Sequence, residues 1–132
     1  MAEMQIKTFC EKHAGTSDDL VFTFCHTDQC CSTGEIQLTN GKQGSNGYAV
    51  DCNMPDIFGS SQIGDCKDFK FGSESIITGK VTLSNNDGFR GEWVKVRSSD
   101  GSFLQCTIDG LIDGNSNNVP KHRDFSCSSL SK

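Results

Sequence analysis

The chain predicts an all-β fold, an antiparallel two-sheet β-sandwich of about eight strands reinforced by disulfides. Three observations point there. Apolar residues alternate with polar ones or come in short runs between Gly, Asn, Asp and Ser, and no window keeps a helical period beyond two turns. Turn residues recur at the spacing of short strands joined by tight loops. Eight cysteines stand in 132 residues beside only two prolines, which suits sheets stapled in an oxidising compartment.

Strands are expected over 4–10, 20–25, 34–38, 47–52, 68–71, 76–84, 92–97 and 102–108. In the third, Ile36 and Leu38 alternate with Glu35, Gln37 and Thr39. In the sixth, Ile77, Gly79, Val81 and Leu83 share one face while Thr78, Lys80, Thr82 and Ser84 share the other, as in a sheet with one wet side. Between the last two, Ser98-Ser99-Asp100-Gly101 carries the Asp-Gly signal of a hairpin. The run of Asn and Gly over 40–47 reads as a long loop. No repeat or linker divides the chain, so 1–132 reads as one domain, with a C-terminal tail over 109–132 pinned by Cys127. The Asp/Asn-rich start of that tail does not carry the EF-hand pattern, having no Glu in twelfth place from Asp109.

The cysteines are Cys10, Cys25, Cys30, Cys31, Cys52, Cys66, Cys106 and Cys127. Their density lies below the ~8–10% that marks a scaffold held by disulfides alone, so the bridges reinforce a real core. Spacing cannot choose the pairing. Cys30 and Cys31, being adjacent, face opposite ways in an extended segment and should bridge to different partners. Zinc competes at Cys25-His26 with Cys30-Cys31, but no second short hook follows at the usual distance.

A net charge of −5 with scattered Lys and Arg excludes nucleic acid as the expected partner, because phosphate neutralisation needs a basic stripe. No apolar run approaches a membrane span, and the start lacks a basic-then-apolar leader. Cysteine density nevertheless favours a secreted, extracellular protein read in its mature form. An enzyme is not expected. His13, His26 and His122 accompany no nucleophile elbow, metal-binding His pair or carboxylate dyad, and Cys25 and His26 point to opposite strand faces.

Ca²⁺ takes six to eight oxygens from carboxylates, amides and backbone, so it favours Asp and Asn beside Gly in loops. Two loops qualify, Gly15-Thr16-Ser17-Asp18-Asp19 and Asn85-Asn86-Asp87-Gly88, with Asp18, Asp19, Asn85 and Asp87 as the expected ligands. Asp56 joins them only if its loop folds back to that end. The plain alternative is that these residues simply make turns.

The order of several motifs resembles a PLAT (lipoxygenase homology, LH2) domain. They are Ile6-Lys7-Thr8, then 15–24 with its Gly-Thr-Ser-Asp loop leading into an alternating strand, Asp56-Ile57-Phe58, Ile63-Gly64, Ile77 to Leu83 with Asn85-Asn86-Asp87-Gly88, and Gly91-Glu92-Trp93-Val94-Lys95-Val96. The resemblance covers roughly 5–108. The chain departs from that pattern in its cysteines, in a longer segment over 65–75, and in Ser84 where the family's strand ends in His. What the resemblance implies is an eight-stranded antiparallel sandwich, non-catalytic, docking on lipid, membrane or another protein, often with calcium held by loops at one end. The two Asp/Asn loops would then lie together.

Trp93 shares a strand face with Lys95 and Arg97, opposite Val94 and Val96, and is expected to be core or partly buried, with a docking role if it faces water. Phe58 and Phe89, next to Gly in expected loops, are candidate apolar tips for lipid or partner, or else plugs over the end of the sandwich. Beside surface docking stands a carrier reading, in which phenylalanines enclose a hydrophobic small molecule such as a lipid or pigment. An extracellular structural or defence protein recognising protein or sugar is the third.

Overall fold

A computed structural model describes residues 1–26, 29–71, 76–84, 87–108, 110–112 and 121–129. Eight antiparallel strands form one curled sheet: β1 (Glu3–Thr8), β2 (Leu20–His26), β3 (Gln29–Ile36), β4 (Asp56–Gly59), β5 (Ile76–Leu83), β6 (Gly91–Arg97), β7 (Phe103–Thr107) and β8 (His122–Ser129). Among the described residues there is no α-helix, only two 3₁₀ turns, Ser60–Gln62 and Gly64–Asp68.

The strand order is β3-β2-β5-β8-β7-β6-β1-β4. Odd strands alternate with even ones throughout, and neighbours are antiparallel. All odd-to-even connections, 9–19, 37–55, 84–90 and 108–121, therefore leave from the same end of the sheet. The even-to-odd ones leave from the other.

Period-two alternation closes the core. Met4 and Ile6 of β1, Leu20, Phe22 and Phe24 of β2, Val94 and Val96 of β6, Leu104 and Cys106 of β7, and Phe125 and Cys127 of β8 all point inward and are buried. Phe22, Phe24 and Phe125 pack with ring centroids 5.9–6.3 Å apart, filling the interior between β2 and β8. Gly79, inward on β5 between Phe24 and Phe125 in register, leaves the space that the Phe125 ring occupies, and any side chain there would strike that ring.

The curl brings the two edge strands together. β4 runs directly into the 3₁₀ turns, and the second of these lies on β3, where a side chain on Gly64 would come within 2.7 Å of the Thr33 carbonyl oxygen. Cys31–Cys66 makes that contact covalent. The remaining bridges are Cys10–Cys52, Cys25–Cys30 and Cys106–Cys127, so Cys30 and Cys31 do go to different partners. No cysteine is free, which leaves no thiolate for zinc or for a nucleophile.

β2, β5, β6 and β7 lie where the alternation puts them. The β6–β7 hairpin turns on Gly101 at φ +91°, and Ser98 and Ser102 hydrogen-bond the Asp100 carboxylate, holding it down at about 2. β3 begins five residues earlier than expected, because its inward positions are Cys31 and Thr33, which carry no apolar signal. Its regular part stops at a bulge where Gly34 takes φ +71° and the register with β2 slips between Val21 and Thr23.

Two expected strands are corrected. Segment 47–52 is turn structure with a single bridge from Ala49 to Gln43, and 68–71 is the end of a 3₁₀ turn followed by extended chain that buries Phe69 and Phe71. The tail is corrected too. Cys127 does hold it, but 122–129 is β8, an inner strand between β5 and β7. Among its described side chains Phe125 and Cys127 are the buried ones, too short an alternation to read among Arg, Asp and Ser.

The disulfides differ in what they close. Cys106–Cys127 spans 21 residues within the core, whereas Cys25–Cys30 spans 5 at the surface. Replacing Cys106 and Cys127 together with Ala should cost about 3 kcal/mol or more in denaturant unfolding, and the Cys25/Cys30 pair about 2 kcal/mol or less. Equal losses would place the weight of the fold elsewhere.

Candidate functional site: the loop end

The described parts of the four odd-to-even connections are bonded to one another in series. Phe9 donates to the Arg90 carbonyl at 3.1 Å, and Arg90 donates to Ala14 at 2.8 Å, tying 9–19 to 84–90. Thr16 donates to Gly41 at 3.0 Å and His13 to Gly47 at 2.7 Å, tying 9–19 to 37–55. Phe89 and Ile112 exchange backbone bonds of 2.9 and 3.0 Å, tying 84–90 to 110–112. Cys10–Cys52 then locks the longest loop to the end of β1. The Arg90 guanidinium lies 4.6 Å above the Phe9 ring and pairs with Glu11 at 2.9 Å.

Buried Asp56, at the start of β4, organises the long loop. Its Oδ1 accepts from the amides of Thr39 (2.8 Å) and Asn40 (2.9 Å), and its Oδ2 from that of Gly41 (2.8 Å). Three amides converging on a buried carboxylate replace the water it lost. Asp56 thus sits at the loop end and serves as a backbone clamp.

The two Asp/Asn loops do meet. Asp87 Oδ2 accepts from the Ser17 amide (2.7 Å) and the Thr16 hydroxyl (3.3 Å), and Asp87 Oδ1 from the Gly88 amide (3.0 Å). Asp18 Oδ2 accepts from the Asp87 amide at 3.1 Å. Asp19 and Ser84 bond twice, amide to hydroxyl at 3.1 Å and amide to carbonyl at 3.0 Å. Asn85 lies outside the described residues. Among the described residues no group of three or more His, Cys, Asp or Glu is placed to hold a metal ion. Here the carboxylates latch loop to loop.

Phe58 and Phe89 are corrected as apolar tips. Phe58 is inward on β4 at 8% exposure and Phe89 is fully buried, so both plug the interior. Trp93 faces outward on β6, partly buried, with the Lys95 ammonium 4.5 Å above its ring and Lys7 beside it in register. It stands two residues in from the loop end.

The exposed large apolar side chains among the described residues are others: Tyr48 (45%), Val50 (63%) and Met54 (55%) in the stapled loop, Leu111 (47%) in the segment bonded to 84–90, and Ile57 (56%) on β4. Sequence reasoning missed the first two because Gly47-Tyr48-Ala49-Val50 alternates like a strand. The signal against a strand is the missing partner, since the flanking Asn-Gly and Cys52 allow only a closed loop. Away from this end, Thr23, Thr78, Lys80, Asp124 and Ser126 line an open groove of about 460 Å³ on the outer face of β2, β5 and β8.

No protein-family model matches the chain, and neither does any curated protein.

Glu35, at the end of β3, shares a hydrogen bond with Asp19, and that bond and the neighbouring charge push its carboxyl above the ordinary 4.5. A carboxyl that binds its proton more tightly folded than unfolded loses stability for the fold as pH rises through its folded value. Glu35→Gln should therefore raise the melting temperature slightly at pH 7, and the gain should vanish as pH falls below 4.5, measured by thermal unfolding across that range. A gain that persists in acid would show the pair to be uncoupled.

Proposed function

We propose that the protein is a secreted, non-catalytic binding module that docks its loop end on a lipid or membrane surface. One observation carries the reading. The order of strands sends four of the seven connections, the longest among them, to one end, and that end presents Tyr48, Val50 and Met54 to solvent on a loop tied down by a disulfide and a buried carboxylate, with Leu111 exposed on another. Rigid loops lose little freedom on docking, so the apolar area they insert counts more fully toward affinity. Tyr48 adds a ring with a polar tip, suited to the headgroup boundary.

The finer reading of the fold belongs with this proposal. The β7–β8 ladder has three residue pairs among the described residues, and folding about it would set β3-β2-β5-β8 against β7-β6-β1-β4 as the two layers of a PLAT-like sandwich. Support for the PLAT resemblance is the order of motifs and the meeting of loops 15–19 and 84–88. Four disulfides suit an extracellular setting, and no helix among the described residues is long and apolar enough to cross a membrane. Calcium carries no step in this reading, in which the Asp18 and Asp87 carboxylates accept amides and that of Asp19 meets Glu35. The chelator arm below decides whether an ion joins them. A carrier function is less well supported, since Phe22, Phe24 and Phe125 fill the interior.

Vesicles of mixed zwitterionic and anionic lipid test the proposal by cosedimentation, with calcium and with chelator. The expected result is attachment that falls about tenfold or more in Tyr48→Ser/Val50→Ser/Met54→Ser, from the apolar area removed. Attachment that is lost with chelator would bring calcium into the site. Absence of attachment, or attachment indifferent to the triple substitution, would transfer the loop end to a protein partner.

A further inference from the structure

The chain contains two exposed-loop Asn-Gly steps that the fold treats in opposite ways. Glycine after asparagine leaves the next backbone nitrogen sterically open to attack the side-chain amide. At Asn40-Gly41 that nitrogen is disarmed: the Gly41 amide is buried and donates to the Asp56 carboxylate at 2.8 Å, and Asn40 Nδ2 donates to Pro55 at 3.1 Å. At Asn46-Gly47 the opposite holds. Asn46 is exposed, and the Gly47 amide makes only a 3.2 Å bond to the Gly44 carbonyl across a surface turn.

Three groups surround that second step. The Tyr48 amide donates to Asn46 Oδ1 at 3.0 Å, where negative charge would collect as the side-chain carbonyl is attacked. His13, exposed and held at φ 68°, donates its own amide to the Gly47 carbonyl at 2.7 Å. Its ring Cε1, bonded to both imidazole nitrogens, lies 3.6 Å from where a Gly47 side chain would begin, and Lys12 Cε lies 2.9 Å from the same point. The His13 imidazole and the Lys12 side chain thus flank the nucleophilic amide and its target.

We propose that Asn46 is a self-modification site, deamidating through attack by the Gly47 nitrogen with His13 as proton acceptor. The Gly47 N–H proton passes to the imidazole while the nitrogen lone pair forms a bond to Asn46 Cγ. The resulting oxyanion on Oδ1 is held by the Tyr48 amide. It collapses by breaking Cγ–Nδ2, and Nδ2 takes the proton back from the imidazolium and leaves as ammonia. One solvent water then opens the succinimide, leaving aspartate or isoaspartate at position 46. The product places a new carboxylate two residues before exposed Tyr48, in the loop that carries it. Weakened membrane attachment is the consequence that rests on the docking reading, whereas the modification itself does not.

Peptide mapping by mass spectrometry reads both sites in one sample of the disulfide-intact protein held at neutral pH, against the reduced and denatured chain. Native Asn46 should convert about tenfold or more faster than native Asn40, because freeing Gly41 from a charged hydrogen bond slows the second site. In the denatured chain the two rates should approach each other. His13→Asn keeps a residue that tolerates positive φ but removes the base, so conversion of Asn46 should fall about tenfold or more, with imidazole in the buffer restoring it. A native rate ratio no larger than in the denatured chain, or a His13→Asn rate equal to that of the parent, overturns the proposal. Peptide masses report this whether or not the protein binds vesicles.

Discussion

The narrow seam between β7 and β8 is the constraint on which the remainder depends. Among the described residues three register pairs join them, Leu104↔Ser129 to Cys106↔Cys127, where β5 and β8 are joined by seven. Every contact that makes β3-β2-β5-β8 and β7-β6-β1-β4 one sheet passes through that short ladder. Cys106–Cys127 crosses it inside the core, where neither sulfur meets solvent. The opposite edges close differently. A 3₁₀ turn and Cys31–Cys66 carry the chain from β4 onto β3, so one covalent bond stands at the seam and another at the closure.

From that arrangement the loop end follows by parity. Alternation of odd and even strands puts the odd-to-even connections together whether or not their sequences have anything in common. Once together, they are held by backbone bonds and by carboxylates that accept amides, Asp56 for the long loop and Asp87 with Asp18 for the pair of shorter ones. A carboxylate used this way stiffens a loop, because its lone pairs are directed at N–H groups of another segment. The stiffened surface then exposes apolar side chains that a mobile loop would turn inward.

Much of the fold was legible because it rests on alternation. β5 and β6 announce themselves through Ile77, Val81, Leu83, Val94 and Val96, residues whose inward placement costs nothing and whose neighbours are polar. β3 and β8 were hidden, since β3 turns Cys31 and Thr33 inward and β8 interposes Arg, Asp and Ser around Phe125 and Cys127, so that neither shows a sustained apolar alternation. Of the site, the Asp/Asn loops were recognised and do converge. Their chemistry was not legible, because whether Asp87 meets a cation or the Ser17 amide depends on distances between segments seventy residues apart.

By itself the sequence determined the class of structure: all-β, antiparallel, oxidised, with Cys30 and Cys31 sent to different partners. Those properties are local, following from period-two alternation and from the opposite directions of adjacent side chains. Tertiary structure decided which aromatic residues face water, burying Phe58 and Phe89 and leaving Tyr48 and Val50 exposed, because exposure depends on what packs above a residue. It also decided the fates of two identical Asn-Gly pairs. A carboxylate from β4 reaches one of them, and a histidine from another loop lies beside the other.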